Sequence, residues 1–228
     1  MEPHRELGTG TEDFRPDLNA GAQVYFDKAW KFTQKFYGKE LKQIFSVSFS
    51  EVTPEHFFSE YVWVVHATGF SAKAVGKFMP RLMDAYGPWT TLGRTASEIV
   101  VNRVSQVVNN PQKIKAVHAM AGWMVAGVKA QDWTVYRNEQ LSTPDLLAKL
   151  PYIGKVTCFH LGRNIGLLDC VKPDLHLIRM AKHWGFKDCV EMCKAVQPKG
   201  VPLGIVDLAF WYAASTFGTL ELRKEGDR

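Results

Sequence analysis

Apolar positions recur along this chain mostly at helical spacing. Between Ala22 and Tyr37 the residues Val24, Tyr25, Ala29, Phe32 and Phe36 fall on one face, which predicts a helix over 22–37. Three dipeptides mark further helix starts: Thr53-Pro54, Asn110-Pro111 and Thr143-Pro144. In each, a side-chain oxygen can cap the free amides and a proline occupies the first helical position, where its missing N–H is no loss. Helices are therefore predicted to begin near residues 54, 111 and 144. Apolar periodicity predicts others at about 71–86, 94–108, 131–138, 155–166, 174–184, 187–196 and 203–217. One segment departs from this period. Ile44 to Val52 alternates through Phe45, Val47 and Phe49, a pattern that predicts a short strand. Residues 1–20 are polar, with Gly8, Gly10 and Pro16, and read as a flexible arm ahead of one domain over 21–228. The fold class expected is all-α.

Composition narrows the picture modestly. The chain has 228 residues, of which 46% are hydrophobic and 22% charged, enough to bury a sizeable core and not a disordered composition. No apolar run approaches the roughly 20 residues of a membrane span. The acidic residues among the first twenty argue against a secretory signal, so a cytoplasmic, reducing location is expected, near the nucleoid if bacterial. A net charge of +5 permits a polyanionic partner without establishing one.

The chemistry concentrates between Thr143 and Phe186. A short helix from Pro144 to Lys149 leads through Leu150-Pro151-Tyr152-Ile153-Gly154-Lys155 into a second helix carrying Val156, Phe159, His160, Arg163 and Ile165, closed by Gly166. Two helices around a tight Pro/Gly turn form a helix-hairpin-helix. The second helix starts at the turn, where its unpaired amides and positive dipole end suit a phosphate and read no sequence. Five residues beyond Gly166 begins Val171-Lys172-Pro173-Asp174-Leu175-His176-Leu177-Ile178-Arg179, with Asp174 eight residues beyond that glycine.

This hairpin and the aspartate at that spacing resemble the helix-hairpin-helix (HhH-GPD) superfamily of base-excision DNA glycosylases, over about Leu146 to Ala181. The resemblance implies an all-α fold of two interleaved lobes with the site in a cleft between them. It also implies hydrolysis of the N-glycosidic bond of a damaged or modified base in DNA. The base would be an alkylated purine, or a bulky modified pyrimidine such as those of phage DNA. Asp174 falls on the family's catalytic aspartate. Val156 falls where lyase members keep their Schiff-base lysine, which implies a monofunctional enzyme that uses water. Tyr152 replaces the first hairpin glycine. DNA contacts are implied for Pro151, Tyr152, Ile153, Gly154, Lys155, Val156, Thr157, Arg163 and Lys172. The backbone oxygens of Ala148, Leu150 and Ile153 are implied to hold Na+ or K+. Cys158, Cys170, Cys189 and Cys193 lack the spacing of the family's iron–sulfur cluster, so none is expected, and no other cofactor is required. The partner implied is DNA carrying a modified base, the protein acting as a monomer.

Alternatives stand beside these readings. Asp174 after Pro173 also suits a helix N-cap. Lys172 reads equally as a phosphate contact or a solvated charge. A lyase through a shifted Lys172 or Lys155, or a non-catalytic DNA-binding hairpin module, are the competing functions. His160 and His176 read as structural or surface residues, and Cys189 and Cys193 as core thiols. Asp207, an acid in an apolar helix, either buttresses the site or caps its helix. At the junction from Val65 to Lys73, the resemblance makes His66, Thr68 and Phe70 candidates for the wedge that fills a flipped base's gap, against a Gly69 C-cap with Phe70 packed as a staple. Tyr61, Trp63 and Trp123 are candidates for the base pocket, against plain core positions.

Overall fold

The computed structural model describes residues 16–70 and 72–218, and over these the chain is helical throughout, with no strand. Twelve helices follow in order: α1 (Pro16–Phe45), α2 (Pro54–Ala67), α3 (Ala72–Tyr86), α4 (Trp89–Leu92), α5 (Ser97–Val104), α6 (Pro111–Ala130), α7 (Trp133–Gln140), α8 (Pro144–Leu147), α9 (Thr157–Asn164), α10 (Leu175–His183), α11 (Cys189–Ala195) and α12 (Leu203–Phe217). No described helix is long and apolar enough to cross a membrane.

The three capped starts form as their chemistry dictates. Thr53 accepts the His56 amide at 3.1 Å, Asn110 that of Lys113 at 3.1 Å, and Thr143 that of Leu146 at 3.3 Å, each with proline at the first helical position. α1 starts earlier than its apolar pattern does, so Pro16 to Ala20 belong to the helix and not to an arm; residues 1–15 lie outside the described residues. Its predicted end at Tyr37 coincides with a kink, where that residue leaves helical geometry (φ −128°, ψ 17°) and its ring stacks on Tyr212 at 3.9 Å. The strand expected over Ile44–Val52 does not form. Ile44 and Phe45 close α1, and Phe49–Glu51 make a single 3-10 turn. Val47 and Phe49 still point inward, against the core, so the alternation reflects packing of a bend and not a sheet. The predicted helix over 94–108 is shorter, running from Ser97 to Val104 with α4 as a separate turn before it.

Buried apolar residues gather in two main clusters. One joins α2 through α9, around Phe57, Tyr61, Val65, Leu82, Met120 and Leu161. The other joins α1 to α10, α11 and α12, around Phe26, Leu177, Met192 and Phe210. The chain thus returns from its C-terminal helix to its first one, and α1·α12 is an extensive contact. Gly166 lets the path turn from α9 toward the second cluster. Its φ is +89°, and a Cβ there would stand 2.5 Å from the Phe49 amide nitrogen.

Candidate active site

Asp174 occupies the N-cap of α10. Its Oδ1 accepts the amides of His176 (3.0 Å) and Leu177 (3.1 Å). Its Oδ2 lies 4.0 Å from Lys172 Nζ, and the side chain is 13% exposed at the wall of a cavity. Capping and chemistry are therefore not exclusive: one oxygen locks the rotamer while the other is left for a reacting group. Burial lowers the Lys172 ammonium below its ordinary value, Asp174 pulling the other way.

Asp207 anchors the segment ahead of Asp174. It sits wholly buried on α12, where its Oδ2 accepts Arg163 Nη1 at 2.7 Å and the Lys172 amide at 2.9 Å. One carboxylate thus ties the hairpin's second helix to the strand of chain that presents Asp174. Burial pushes the Asp207 carboxyl up to about 6, against the opposing pull of Arg163 and of the Lys172 amide.

The cavity has a volume of about 1070 Å³ and lies between the two apolar clusters. Each wall is a helical stripe. His56, Glu60, Trp63 and Ala67 of α2 face Val156, Thr157, His160, Arg163 and Asn164 around α9. Glu40, Gln43 and Ile44 of α1 and Asp207, Leu208, Trp211 and Tyr212 of α12 complete it, with Lys172 to Leu175 at one end. Glu60 accepts Asn164 Nδ2 at 2.8 Å, and burial raises its carboxyl above the usual range. Burial, then the charges of Arg163 and Lys172, keep His160 neutral. The arrangement offers flat aromatic surface, donors and acceptors, and carboxyl groups held in place at Glu60, Asp174 and Asp207, which together fit a planar polar molecule.

The expected residues divide between cavity, surface and core. Asp174, Lys172, Val156, Thr157, Trp63, Thr68 and Phe70 line the cavity. Arg163, expected on DNA, is instead 5% exposed and committed to Asp207, because a guanidinium placed on the inner face of α9 must find a buried partner. His66, a wedge candidate, is turned into the core with Nε2 2.9 Å from the Tyr86 hydroxyl, and burial lowers it to about 4. Tyr61 is also core, its hydroxyl donating to the Pro151 carbonyl at 2.5 Å. Trp123 is half exposed on α6, away from the cavity. Gly69 follows the end of α2 with φ of +80°, as a C-terminal cap requires, and Phe70 is half exposed with its ring edge-on to Phe78 at 6.5 Å. Periodicity had no means of selecting Glu60, Asn164 or Lys113; the one local signal was an acid at position 60 on an otherwise apolar face.

At the hairpin turn, Pro151, Tyr152, Gly154 and Lys155 are at least partly exposed, whereas Ile153 is buried beneath them. The Gly154 amide donates to Thr157 Oγ1 at 2.8 Å, so the amides left for an anion are those of Lys155, Val156 and Thr157. Of the three carbonyls assigned to a monovalent cation, Leu150 already accepts the Ile153 amide at 3.1 Å and retains a second lone pair; Ala148 and Ile153 flank it in the same turn. The four cysteines are free and buried, Cys158 in the first cluster and Cys189 and Cys193 in the second. Among the described residues no group of three or more His, Cys, Asp or Glu side chains is placed to hold a metal. No protein-family model, curated protein or solved structure matches this chain.

Proposed function

We propose that the chain is a monofunctional DNA glycosylase of the helix-hairpin-helix (HhH-GPD) type, which hydrolyses the N-glycosidic bond of a modified base and leaves an abasic site. The observation that carries this reading is one carboxylate, Asp174, locked by its own helix at the wall of a cavity that adjoins an exposed hairpin. As the bond to the base lengthens, positive charge builds on the sugar. A fixed carboxylate stabilises that charge and orients a water. The water oxygen bonds to C1′ as the bond from C1′ to the base breaks; one water proton passes to the carboxylate and from there to solvent, and the base departs with the bonding electron pair and takes up a proton from solvent. The target must leave the stack to reach Asp174, and the cavity supplies the destination. At about 1070 Å³ it stands at the upper end of the range for ligand cavities, which favours a base with a bulky substituent over a small alkylated one. Na+ or K+ at the turn carbonyls would stiffen the hairpin against a phosphate. The reaction would take place on cytoplasmic DNA, with the protein as a monomer.

The hairpin should anchor the backbone of any sequence. A side chain at Gly154 would meet no protein atom within 4 Å, so Gly154→Asp leaves the fold intact and places a negative charge where phosphate approaches. Affinity for lesion-free duplex should fall about tenfold or more, equally for unrelated sequences. Unchanged affinity would remove the hairpin from the interface.

A second reading rests on Lys172, whose amine is partly buried and 4.0 Å from Asp174, whereas Lys155 points to the surface. An uncharged Lys172 could displace the base itself and form an imine. Borohydride added during turnover reduces such an imine to a covalent adduct. The hydrolytic reading expects no adduct and intact abasic strands until alkali is added; an adduct lost in Lys172→Ala would establish the lyase.

A further inference from the structure

The cavity holds a carboxyl to which hydrolysis at Asp174 gives no task. Glu60 stands on α2 in the stripe His56, Glu60, Trp63 and Ala67, on a different wall from the segment that carries Asp174. Its neighbours on the same helix, Phe57, Tyr61 and Val64, are fully buried core residues. A carboxyl at their edge is costly to desolvate, so packing alone does not explain it. Nor does an ion pair: among the described residues no cationic side chain lies within ion-pair distance of Glu60.

The carboxyl is nevertheless held. Asn164, the last residue of α9, donates Nδ2 to Glu60 Oε2 at 2.8 Å. That contact fixes the orientation of the group and occupies one oxygen as an acceptor. Oε1 has no hydrogen-bond partner among the described residues. Burial raises the carboxyl above its usual range, with Asn164 and then His56 pulling the other way. A proton on this carboxyl therefore belongs on Oε1, the oxygen left for a ligand, where it makes Glu60 a donor.

The leaving group calls for such a donor. A neutral base departs from C1′ with a negative charge unless it gains a proton, whereas a base alkylated to a cation departs neutral. Solvent can deliver that proton, but a positioned acid delivers it as the bond breaks. Two carboxyls in one cavity with unlike surroundings suit two unlike roles, one toward the sugar and one toward the base.

We infer that Glu60 is the proton donor to the departing base, a second catalytic group beside Asp174. The inference rests on the proposed hydrolysis. As the bond from C1′ to the base breaks, the base keeps the electron pair. The O–H bond of Glu60 breaks with it, and the proton goes to a ring nitrogen or carbonyl oxygen of the base. The water oxygen bonds to C1′ and one water proton passes to Asp174. Asp174 then releases a proton to solvent, and Glu60, left as a carboxylate, takes one up.

The test measures single-turnover release by the full chain at saturating protein. The duplexes carry 7-methylguanine, which is cationic, or neutral bases: ethenoadenine and cytosines with a bulky C5 substituent. Glu60→Gln keeps an oxygen for Asn164 and an N–H toward the cavity, but has no proton to transfer. Its rate on a neutral base that wild type releases should fall about a hundredfold or more. Its melting temperature and its affinity for a tetrahydrofuran abasic duplex should match wild type, and release of 7-methylguanine should change little. Asn164→Ala removes the tie but keeps the acid, so it should lose much less. A Glu60→Gln protein at near wild-type rate on the neutral base overturns the donor and leaves hydrolysis at Asp174 standing. Equal losses on neutral and cationic bases, or an equal loss in Asn164→Ala, also overturn it, because the tie and not the proton then matters. A wild type that releases 7-methylguanine alone does the same, since that base needs no proton. A wild type that releases none of these bases removes the hydrolytic reading and the donor with it.

Discussion

Asp174→Asn is expected to abolish base release while leaving the protein folded and bound to DNA. The amide oxygen of asparagine can still accept the amides of His176 and Leu177, so the α10 cap survives. What disappears is the negative charge facing the sugar. Stabilising an oxocarbenium-like centre from a partly buried position is a matter of several kcal/mol, so the single-turnover rate should fall by about 10³-fold or more. Melting temperature and affinity for an abasic duplex should be close to wild type. Asparagine at near-normal rate would mean that Asp174 is a cap and nothing further.

The second large effect is expected at Asp207, and it should appear in stability. Asp207→Leu leaves the Arg163 guanidinium buried without its partner, an arrangement that commonly costs about 3–5 kcal/mol. For a domain of this size that lowers the melting temperature by about 10 °C or more. Asp207→Asn should be much milder, because a neutral acceptor still serves Arg163 and the Lys172 amide. Replacing both partners, Arg163→Met with Asp207→Leu, should recover most of the stability but not the activity, since the Lys172 amide has lost its acceptor and the segment that presents Asp174 its tether. The pH response has a defined sign. Asp207 is raised from its ordinary 3.8 to about 6, so its contribution favours the folded state fully below about 4 and declines as pH rises through 6. Acid should not unfold the protein through this group. If Asp207→Leu melts like wild type, the tether is not structural.

Local chemistry was legible in the sequence, and long-range partnership was not. The caps at Thr53, Asn110 and Thr143 depend on neighbours three residues away, and each forms. The hairpin and Asp174 also sit within one short stretch, and Val156 and Thr157 after the turn line the same cavity as Asp174. Arg163 is the opposite case. Its position on α9 was readable, but its partner Asp207 lies 44 residues on, and only that partner shows that the charge faces inward. His66, a wedge candidate, and Tyr61, a pocket candidate, are turned into the core for the same reason: an apolar helical face can be identified by period, but not which neighbour covers it. Lys113 has no local sign of burial at all, since its acceptors lie 47 and 45 residues back in the chain. Ile44 to Val52 misled because alternation marks any segment that bends over a core, and a strand also needs a partner that this chain does not provide among its described residues.

Base release itself is the most direct measure of the proposal. Duplexes carrying alkylated purines or bulky modified pyrimidines, each against an unmodified control, would be incubated with wild type and with Asp174→Asn, then split into two portions. One portion is analysed for free base, the other treated with alkali and resolved by length. Wild type is expected to liberate at least one modified base and to leave strands that break only after alkali, with Asp174→Asn inert on the same substrate and the unmodified control untouched. Tight binding to those duplexes with no free base and no alkali-labile site from any of them would contradict hydrolysis and identify the hairpin as a binding module alone.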